Sequence, residues 1–222
     1  MSALPVPPSR VEQVYDAIID EICSGALPGG TVLRQELLAD RFQISRQPIQ
    51  QALLLLKSNG LVRETANRRG LEVVPIDETF VVDLYEVRGA LEGVAARRAA
   101  TRHTHEQLST LEGFLDDGER ALTESSFAHM IEADMRFHEH ILHIANNAVL
   151  LDNSSALFQN ARRVMGEVLR RSGTPQWVWD EHRAIYEAIA ASDSAEANRR
   201  AVEHAEHGTQ LVLAAMRGRS LG

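Results

Sequence analysis

The spacing of hydrophobic residues along the 222-residue chain changes once, near residue 76. Before that point, helical spacing over 11–24, 33–42 and a segment that starts at Ser45 alternates with breaks rich in Gly and Pro. Two short runs of strand-forming residues follow, LVRE and LEVV, and TANRRG joins them. The pattern predicts helix, helix, turn, helix and then a β-hairpin.

The three residues QIS, between the second and third predicted helices, are a suitable length for the turn of a helix-turn-helix. The net charge is −8, yet the stretch from Arg41 to Arg69 holds six basic residues against one acid, an excess of about five positive charges. Arginines occur at the start of the third helix and at the hairpin tip, where a winged helix-turn-helix contacts DNA. Residues 1–76 are therefore predicted to form a winged helix-turn-helix DNA-binding domain. The alternative is a small helical domain without a ligand.

Residues 77–222 show helical spacing throughout, after a linker-like segment at 75–77. No strand-like alternation interrupts this region, so the chain is expected to be mainly α. Short connections between the helices predict an all-helical antiparallel bundle. Six helices are predicted, at about 78–101, 104–122, 125–145, 147–171, 175–192 and 194–218.

The segment DMRFHEH, residues 134–140, places two polar side chains on the apolar face of a predicted helix. These are Asp134 and His138, one helical turn apart, and His182 and His204 likewise fall on the apolar faces of two later helices. Burying an unpaired polar group costs roughly 2–7 kcal/mol, so the four side chains need partners. One divalent metal ion would satisfy all of them.

Three imidazoles and one carboxylate suit zinc or nickel, with manganese as a further candidate. His207 is a possible substitute ligand, ranked below the other four residues. Arg88 also interrupts an apolar face, on the first helix of the bundle, and a buried arginine needs an anion. That anion is either an internal acid, Glu92 or Asp134, or the carboxylate of a small bound ligand.

The segment LRQELLADRFQISRQPIQQALLLLKSNGLV, followed by NRRGLEVV, resembles the DNA-binding domain of the GntR family of bacterial transcription regulators. The later segments DLYEVRGALEGVAARRAA, DMRFHEHILHIANN and EHRAIYEAI resemble the ligand-binding domain of its FadR-type, or FCD, branch. The resemblance implies a homodimer that binds near-palindromic double-stranded operator DNA, most simply as a repressor, and responds to a small carboxylate effector. It also implies that Asp134, His138, His182 and His204 bind the metal and that Arg88 lies near the effector.

The resemblance assigns DNA contacts to the start of the third helix and to the wing. Two positions depart from the family, because Gln50 stands where Arg is common and Gln51 stands where Glu is common. Gln pairs with adenine in bidentate fashion whereas Arg pairs with guanine, so the operator is expected to differ near this contact. The candidate DNA-binding residues are Arg34, Ser45, Arg46, Gln47, Gln50, Arg68, Arg69 and Gly70.

Two other functions stay open: an all-helical metallo-hydrolase, and a regulator whose metal is purely structural. Three histidines and an acid around an ion can activate water. However, four protein ligands leave few coordination positions on the metal for water. No further acid is expected to face inward as a general base, because Glu181 and Glu203 fall off the apolar faces of their helices. The chain also lacks a long apolar run and a signal-peptide pattern, which predicts a cytoplasmic protein without membrane association.

Overall fold

The computed structural model describes residues 7–67, 70–168 and 175–218. The chain divides into two compact units, Met1–Ile76 and Asp77–Gly222. Helices dominate both units, and the strands of the described chain form one small sheet in the first unit. The predicted mainly α class, with a winged helix-turn-helix before a helical bundle, is confirmed.

Among its described residues, the first unit contains three helices and a three-stranded antiparallel sheet in the order β1-β3-β2. The hairpin of β2 and β3 occurs where it was predicted, and Val62 pairs with Val73 across it. The short strand β1 was not predicted, because two residues are too few to show an alternating pattern. The elements are α1 (Arg10–Cys23), β1 (Val32–Leu33), α2 (Gln35–Phe42), α3 (Arg46–Ser58), β2 (Val62–Glu64) and β3 (Leu71–Val73).

Local signals in the sequence set the ends of these helices. Ser9 and Glu12 form a reciprocal capping box that starts α1. Gln43 adopts a left-handed conformation with φ 54°, which ends α2 and turns the chain toward α3. Ile49 and Leu56 of α3 are fully buried in the core of this unit. The opposite face of α3 is therefore free to present polar side chains outward.

The described part of the second unit contains six helices at the predicted places, with ends that differ from the prediction by three residues or fewer. The predicted end of the fourth of these helices, 169–171, lies outside the described residues. None of the helices in the described segments combines the length and apolar character needed to span a membrane. The elements are α4 (Glu78–Ala99), α5 (His105–Thr123), α6 (Phe127–Ala145), α7 (Ala148–Val168), α8 (Gln176–Ala190) and α9 (Ser194–Met216).

Helix α4 lies at the centre of the bundle and packs against α6, α7, α8 and α9. Its approach to α9 is close: a Cβ atom added at Gly93 would lie 2.8 Å from side-chain atoms of Asn198 and Val202. With neighbours on several sides, α4 buries a wide face instead of a narrow stripe. This wide face brings charged residues of α4 into the interior beside α6, α8 and α9.

Candidate functional site

Four side chains from three helices converge inside the second unit. Asp134 and His138 come from α6, His182 from α8 and His204 from α9, and all four are buried. Nε2 of His182 lies 3.0 Å from Nε2 of His138 and 3.1 Å from Nε2 of His204. Oδ1 of Asp134 lies 3.3 Å from the same His182 nitrogen. One ligand atom from each residue thus lies within 4.8 Å of the other three.

These contacts outnumber the protons available to make them. A ring nitrogen carries at most one hydrogen, yet Nε2 of His182 faces two other ring nitrogens and a carboxylate oxygen. Atoms bound about 2.1 Å from one ion are separated by about 3.0–3.4 Å at right or tetrahedral angles. The separations around His182 match that spacing. The donor set therefore fits a shared divalent cation better than a hydrogen-bond network of its own.

The electrostatics of the cluster favour the forms that bind metals. Burial lowers the pKa of His138 well below its ordinary value, and it also lowers the pKa of His204. Burial alone would raise the pKa of Asp134. Hydrogen bonding to His182 and the charge of Arg88 instead hold that pKa below its ordinary value. Neutral imidazoles and an ionised carboxylate are the species that ligate a metal.

The expectation that no further acid faces inward is wrong, because Glu92 of α4 is only 3% exposed. Its Oε1 accepts a hydrogen bond from Nε of Arg88 at 2.7 Å, and its Oε2 lies 3.3 Å from Nδ1 of His138. Burial raises the pKa of Glu92, against the opposing charge of Arg88. The sequence signal was its position four residues after Arg88, on the same helix face. Leu91, next to Glu92 in sequence, is only half-buried.

Glu181 also reaches the cluster, although it falls off the apolar face of α8. Its Oε2 accepts a hydrogen bond from Nδ1 of His204 at 2.9 Å, and its Oε1 contacts Nδ1 of His207. His207 is 48% exposed and lies outside the group of four converging residues. It therefore contacts the carboxylate behind His204 and does not take the place of a ligand.

Arg88 is 3% exposed and lies between the two buried acids of the site. Besides the bond from Nε to Glu92, its Nη2 atom lies 3.8 Å from Oδ2 of Asp134. Nη2 has no hydrogen-bond partner among the described residues. Burial would lower the pKa of Arg88, but the charges of Glu92 and Asp134 raise it above the ordinary value. The guanidinium thus stays charged, with donor capacity left for a further acceptor.

A cavity of about 40 Å³ adjoins this cluster. Arg88, Asp134 and His204 form its polar end. The remaining wall is mostly apolar and includes Met130, Ile131, Met165, Trp177, Val178 and Leu211. A charged group at one end of an apolar cavity is typical of sites that bind small organic ions.

The candidate DNA-binding residues of α3 lie on its outward face. Arg46, Gln47 and Gln50 are exposed, and Ser45 precedes the helix without making a side-chain capping hydrogen bond. The start of α3 therefore presents free N–H groups, a hydroxyl and an arginine, which are suitable for contacts to DNA. Nη1 of Arg46 lies 3.4 Å from Oε1 of Glu36 on α2.

The wing is described only in part. Gly70 is half-buried just before β3, and its carbonyl accepts a hydrogen bond from the Thr65 amide, which closes the hairpin. Arg34 is exposed at the start of α2. Arg68 and Arg69, the basic residues predicted at the hairpin tip, lie outside the described residues.

In the folded structure, acidic side chains partly neutralise the basic segment between Arg41 and Arg69. Ion pairs join its described basic residues to acids, three of which come from outside the segment. The pairs are Arg41–Glu21, Arg46–Glu36, Lys57–Glu64 and Arg63–Glu72. DNA phosphates must therefore compete with these surface carboxylates, and exposed pairs of this kind are individually weak.

A winged helix-turn-helix unit joined to a helical unit with a buried polar cluster defines a class: two-domain DNA-binding regulators. Residues 10–73 match the family described as "Bacterial regulatory proteins, gntR family", and residues 83–207 match the FCD domain. The chain therefore belongs to the GntR family of bacterial transcriptional regulators, in the branch that carries an FCD domain. The predicted family is confirmed.

Similar proteins support the same assignment. The HTH-type transcriptional repressor RspR of Escherichia coli (strain K12) is 27% identical over 90% of this chain and 88% of its own length. The gluconate operon transcriptional repressor of Bacillus licheniformis is 28% identical over 65% of this chain and 57% of its own. The solved structure of E. coli McbR/YncC has the same fold, with a TM-score of 0.81, 20% identity and coverage of 95% of this chain and 100% of that chain. The families and relatives are transcriptional regulators, so the protein is not a metallo-hydrolase.

Proposed function

We propose that this regulator is a homodimeric repressor whose helical domain binds one divalent metal ion and a small carboxylate effector. Asp134, His138, His182 and His204 would hold the ion, with zinc or nickel preferred and manganese possible by ligand type. The supporting observation is the convergence of these four side chains beside Arg88 and a cavity. When bound, the ion supplies positive charge and a coordination position for a carboxylate oxygen.

Arg88 provides the protein's own contact to the effector carboxylate. Its guanidinium is held from behind by Glu92, which fixes the orientation of the side chain. Its Nη2 atom still has donor capacity, and the apolar wall of the cavity keeps water away from the pair. A charge-assisted hydrogen bond is strong in such a dry environment.

In the DNA-binding unit, Gln47 and Gln50 would contact base edges from the major groove, and Arg46 would contact a base edge or a phosphate. Ser45 and Arg34 are assigned to phosphates, and the wing residues at 68–70 to the adjacent groove or backbone. Two copies of the chain would meet a near-palindromic operator, with half-sites about 34 Å apart. Because the operator lies on the bacterial chromosome, the proposed location is the cytoplasm.

The effector can change DNA binding only if it has different affinities for two arrangements of the protein. Helix α4 carries Arg88 and begins at Glu78, directly after the boundary between the two units. An effector held by Arg88 and by the cluster would tie α4 to α6, α8 and α9. This link to the first helix after the boundary is the proposed route of regulation.

Elemental analysis of full-length protein, purified without chelators and without a histidine tag, tests the metal site. We expect about one ion per chain in the wild type and none in His138→Ala or His182→Ala. His143→Ala is the matched control, since His143 lies on α6 with an exposed side chain and should keep the ion. An ion-free wild type that takes up no zinc, nickel or manganese would overturn the metal assignment.

The role of Arg88 separates an effector-responsive regulator from one whose metal is purely structural. The proposal requires that Arg88→Ala keeps the ion and still binds DNA, while carboxylates no longer change its DNA binding. A DNA-binding titration with and without each carboxylate measures this. An unchanged effector response in Arg88→Ala would place the effector elsewhere.

A further inference from the structure

The wall of the cavity limits the chemistry of the effector beyond its carboxylate. Eight of the lining side chains are thioether, aliphatic or indole groups, namely Met130, Ile131, Met165, Trp177, Val178, Trp179, Ala205 and Leu211. A ligand hydroxyl placed against such surfaces loses hydrogen bonds to water without replacement, which costs about 1–3 kcal/mol for each group. For a ligand with several hydroxyls, this free-energy cost applies to each hydroxyl.

Few polar atoms are available away from the carboxylate end. Tyr85 also lines the cavity, and Nε1 of Trp179 is buried with no hydrogen-bond partner among the described residues. Burial raises the pKa of Tyr85 to about 12, so its side chain is a neutral phenol. These groups can serve one or two extra polar atoms of a ligand, but not the row of hydroxyls of a sugar acid.

Charge gives an independent limit. Nε of Arg88 is already bonded to Glu92, and its Nη2 atom is the one described above with donor capacity left. One carboxylate can use this donor and the metal-binding cluster, whereas a second carboxylate would be buried without a cationic partner. Among the described residues that line the cavity, Arg88 is the sole Lys or Arg.

We infer that the effector is a small monocarboxylate whose remaining atoms are mostly apolar, such as a short aliphatic acid. Sugar acids and dicarboxylates are disfavoured by the wall and by the charge, respectively. The inference rests on the proposed function, because it takes Arg88 and the metal-binding cluster as partners of the carboxylate. It adds that the apolar wall selects the ligand.

Calorimetric titration of the metal-loaded full-length protein tests the inference. The probes are butanoate and 3-methylbutanoate, compared with D-gluconate, succinate and the uncharged butanamide. At least one of the two apolar acids should bind about tenfold or more tightly than gluconate and succinate. Butanamide should bind more weakly than butanoate, because it lacks the charge that Arg88 pairs with.

Two methionines of α6 provide matched variants of the wall. Met130 and Met135 are 7% and 8% exposed, but only Met130 lines the cavity. Gln is close to Met in length and adds a polar amide. Met130→Gln should weaken binding of the apolar acid about tenfold, whereas Met135→Gln should change it by less than about twofold.

The outcomes separate this inference from the proposed function. Tighter binding of gluconate or succinate than of both apolar acids would overturn the ligand class and leave the carboxylate site standing. Equal effects of Met130→Gln and Met135→Gln would also overturn it, because the wall would then play no part in selection. If no acid binds and Arg88→Ala behaves as the wild type, the proposed effector site itself fails, and the inference fails with it.

Discussion

The carboxylate of Glu181 accepts a hydrogen bond from Nδ1 of His204 at 2.9 Å. A hydrogen on Nδ1 leaves Nε2 of His204 as the nitrogen with a free lone pair, and this is the atom that faces His182. Glu92 lies 3.3 Å from Nδ1 of His138 and can act in the same way. Acids behind histidine ligands orient the rings and increase their basicity in many metal sites.

Removing the Glu181 carboxylate should therefore weaken metal binding without removing a ligand. We expect Glu181→Ala to lower the affinity for zinc about 10- to 100-fold, measured by competition with a chromophoric chelator. Glu181→Gln, which keeps an oxygen acceptor, should recover part of this loss. His207→Ala is the control, because His207 contacts the same carboxylate from the exposed side. An unchanged affinity in Glu181→Ala would show that His204 needs no such support.

The position of each residue around its predicted helix was enough to select the four converging residues from the sequence. Asp134, His138, His182 and His204 each interrupt the apolar face of one helix, and such a face is visible in a single sequence. Glu181 was not accessible in this way, because its contact depends on how α8 and α9 pack. Glu92 was named as a possible partner of Arg88 but not as an acid beside the histidines, because α4 is surrounded by four helices and buries a wider face than a single stripe.

In the fold too, some features can be predicted from local sequence, and others depend on contacts between distant segments. Capping residues such as Asp77 and Asp193, whose side chains accept hydrogen bonds at the starts of α4 and α9, set helix ends that local sequence can indicate. Strand β1 has two residues and exists because β3 lies beside it, so its pattern is too short to detect. The ion pair of Arg46 with Glu36 also joins separate elements, and sequence counts of charge did not show it.

The pair of Arg46 and Glu36 should set the strength of DNA binding. Glu36→Gln frees Arg46 and removes a negative charge near the start of α3, so we expect the affinity for DNA to rise about two- to fivefold. Arg46→Ala should lower it and reduce the salt dependence by about one phosphate contact. Fluorescence anisotropy with a labelled non-specific duplex, at several salt concentrations, measures both effects.

Glu21→Gln is the control for this prediction, since Glu21 pairs with Arg41 on another part of the same unit. It also removes one negative charge but leaves the pair of Arg46 intact. A larger gain from Glu21→Gln than from Glu36→Gln would mean that total charge, and not the release of Arg46, controls the affinity.

Gln50 should determine one base pair in each operator half-site. Its exposed amide on α3 can form a bidentate pair with adenine, whereas an arginine at that position favours guanine. Selection of binding sites from random duplexes should therefore show a change from adenine to guanine at one symmetric position in Gln50→Arg. Gln13→Arg adds the same charge on the exposed face of α1 and should leave the selected sequence unchanged. If the two variants select the same sites as the wild type, Gln50 does not contact a base.

Gly118 should be required for the packing of α5 against α8. A Cβ atom at this position would lie 2.0 Å from the ring of Trp179, which is 1% exposed and packs against His182 with ring centroids 4.8 Å apart. The indole must shift to admit a methyl group, and overpacking of this kind costs about 1–3 kcal/mol. We expect Gly118→Ala to lower the free energy of unfolding and to weaken metal binding through His182.

Gly113→Ala is the matched control on the same helix, since a Cβ atom at Gly113 would meet no atom within 4 Å. It should stabilise the protein by about 0.5–1 kcal/mol, because Ala favours the helix more than Gly does. Both tryptophans of the chain lie in the helical unit, so urea denaturation followed by tryptophan fluorescence reports on this unit directly. If Gly118→Ala were as stable as Gly113→Ala, the indole would have room to move, and the contact between α5 and α8 would not hold His182 in place.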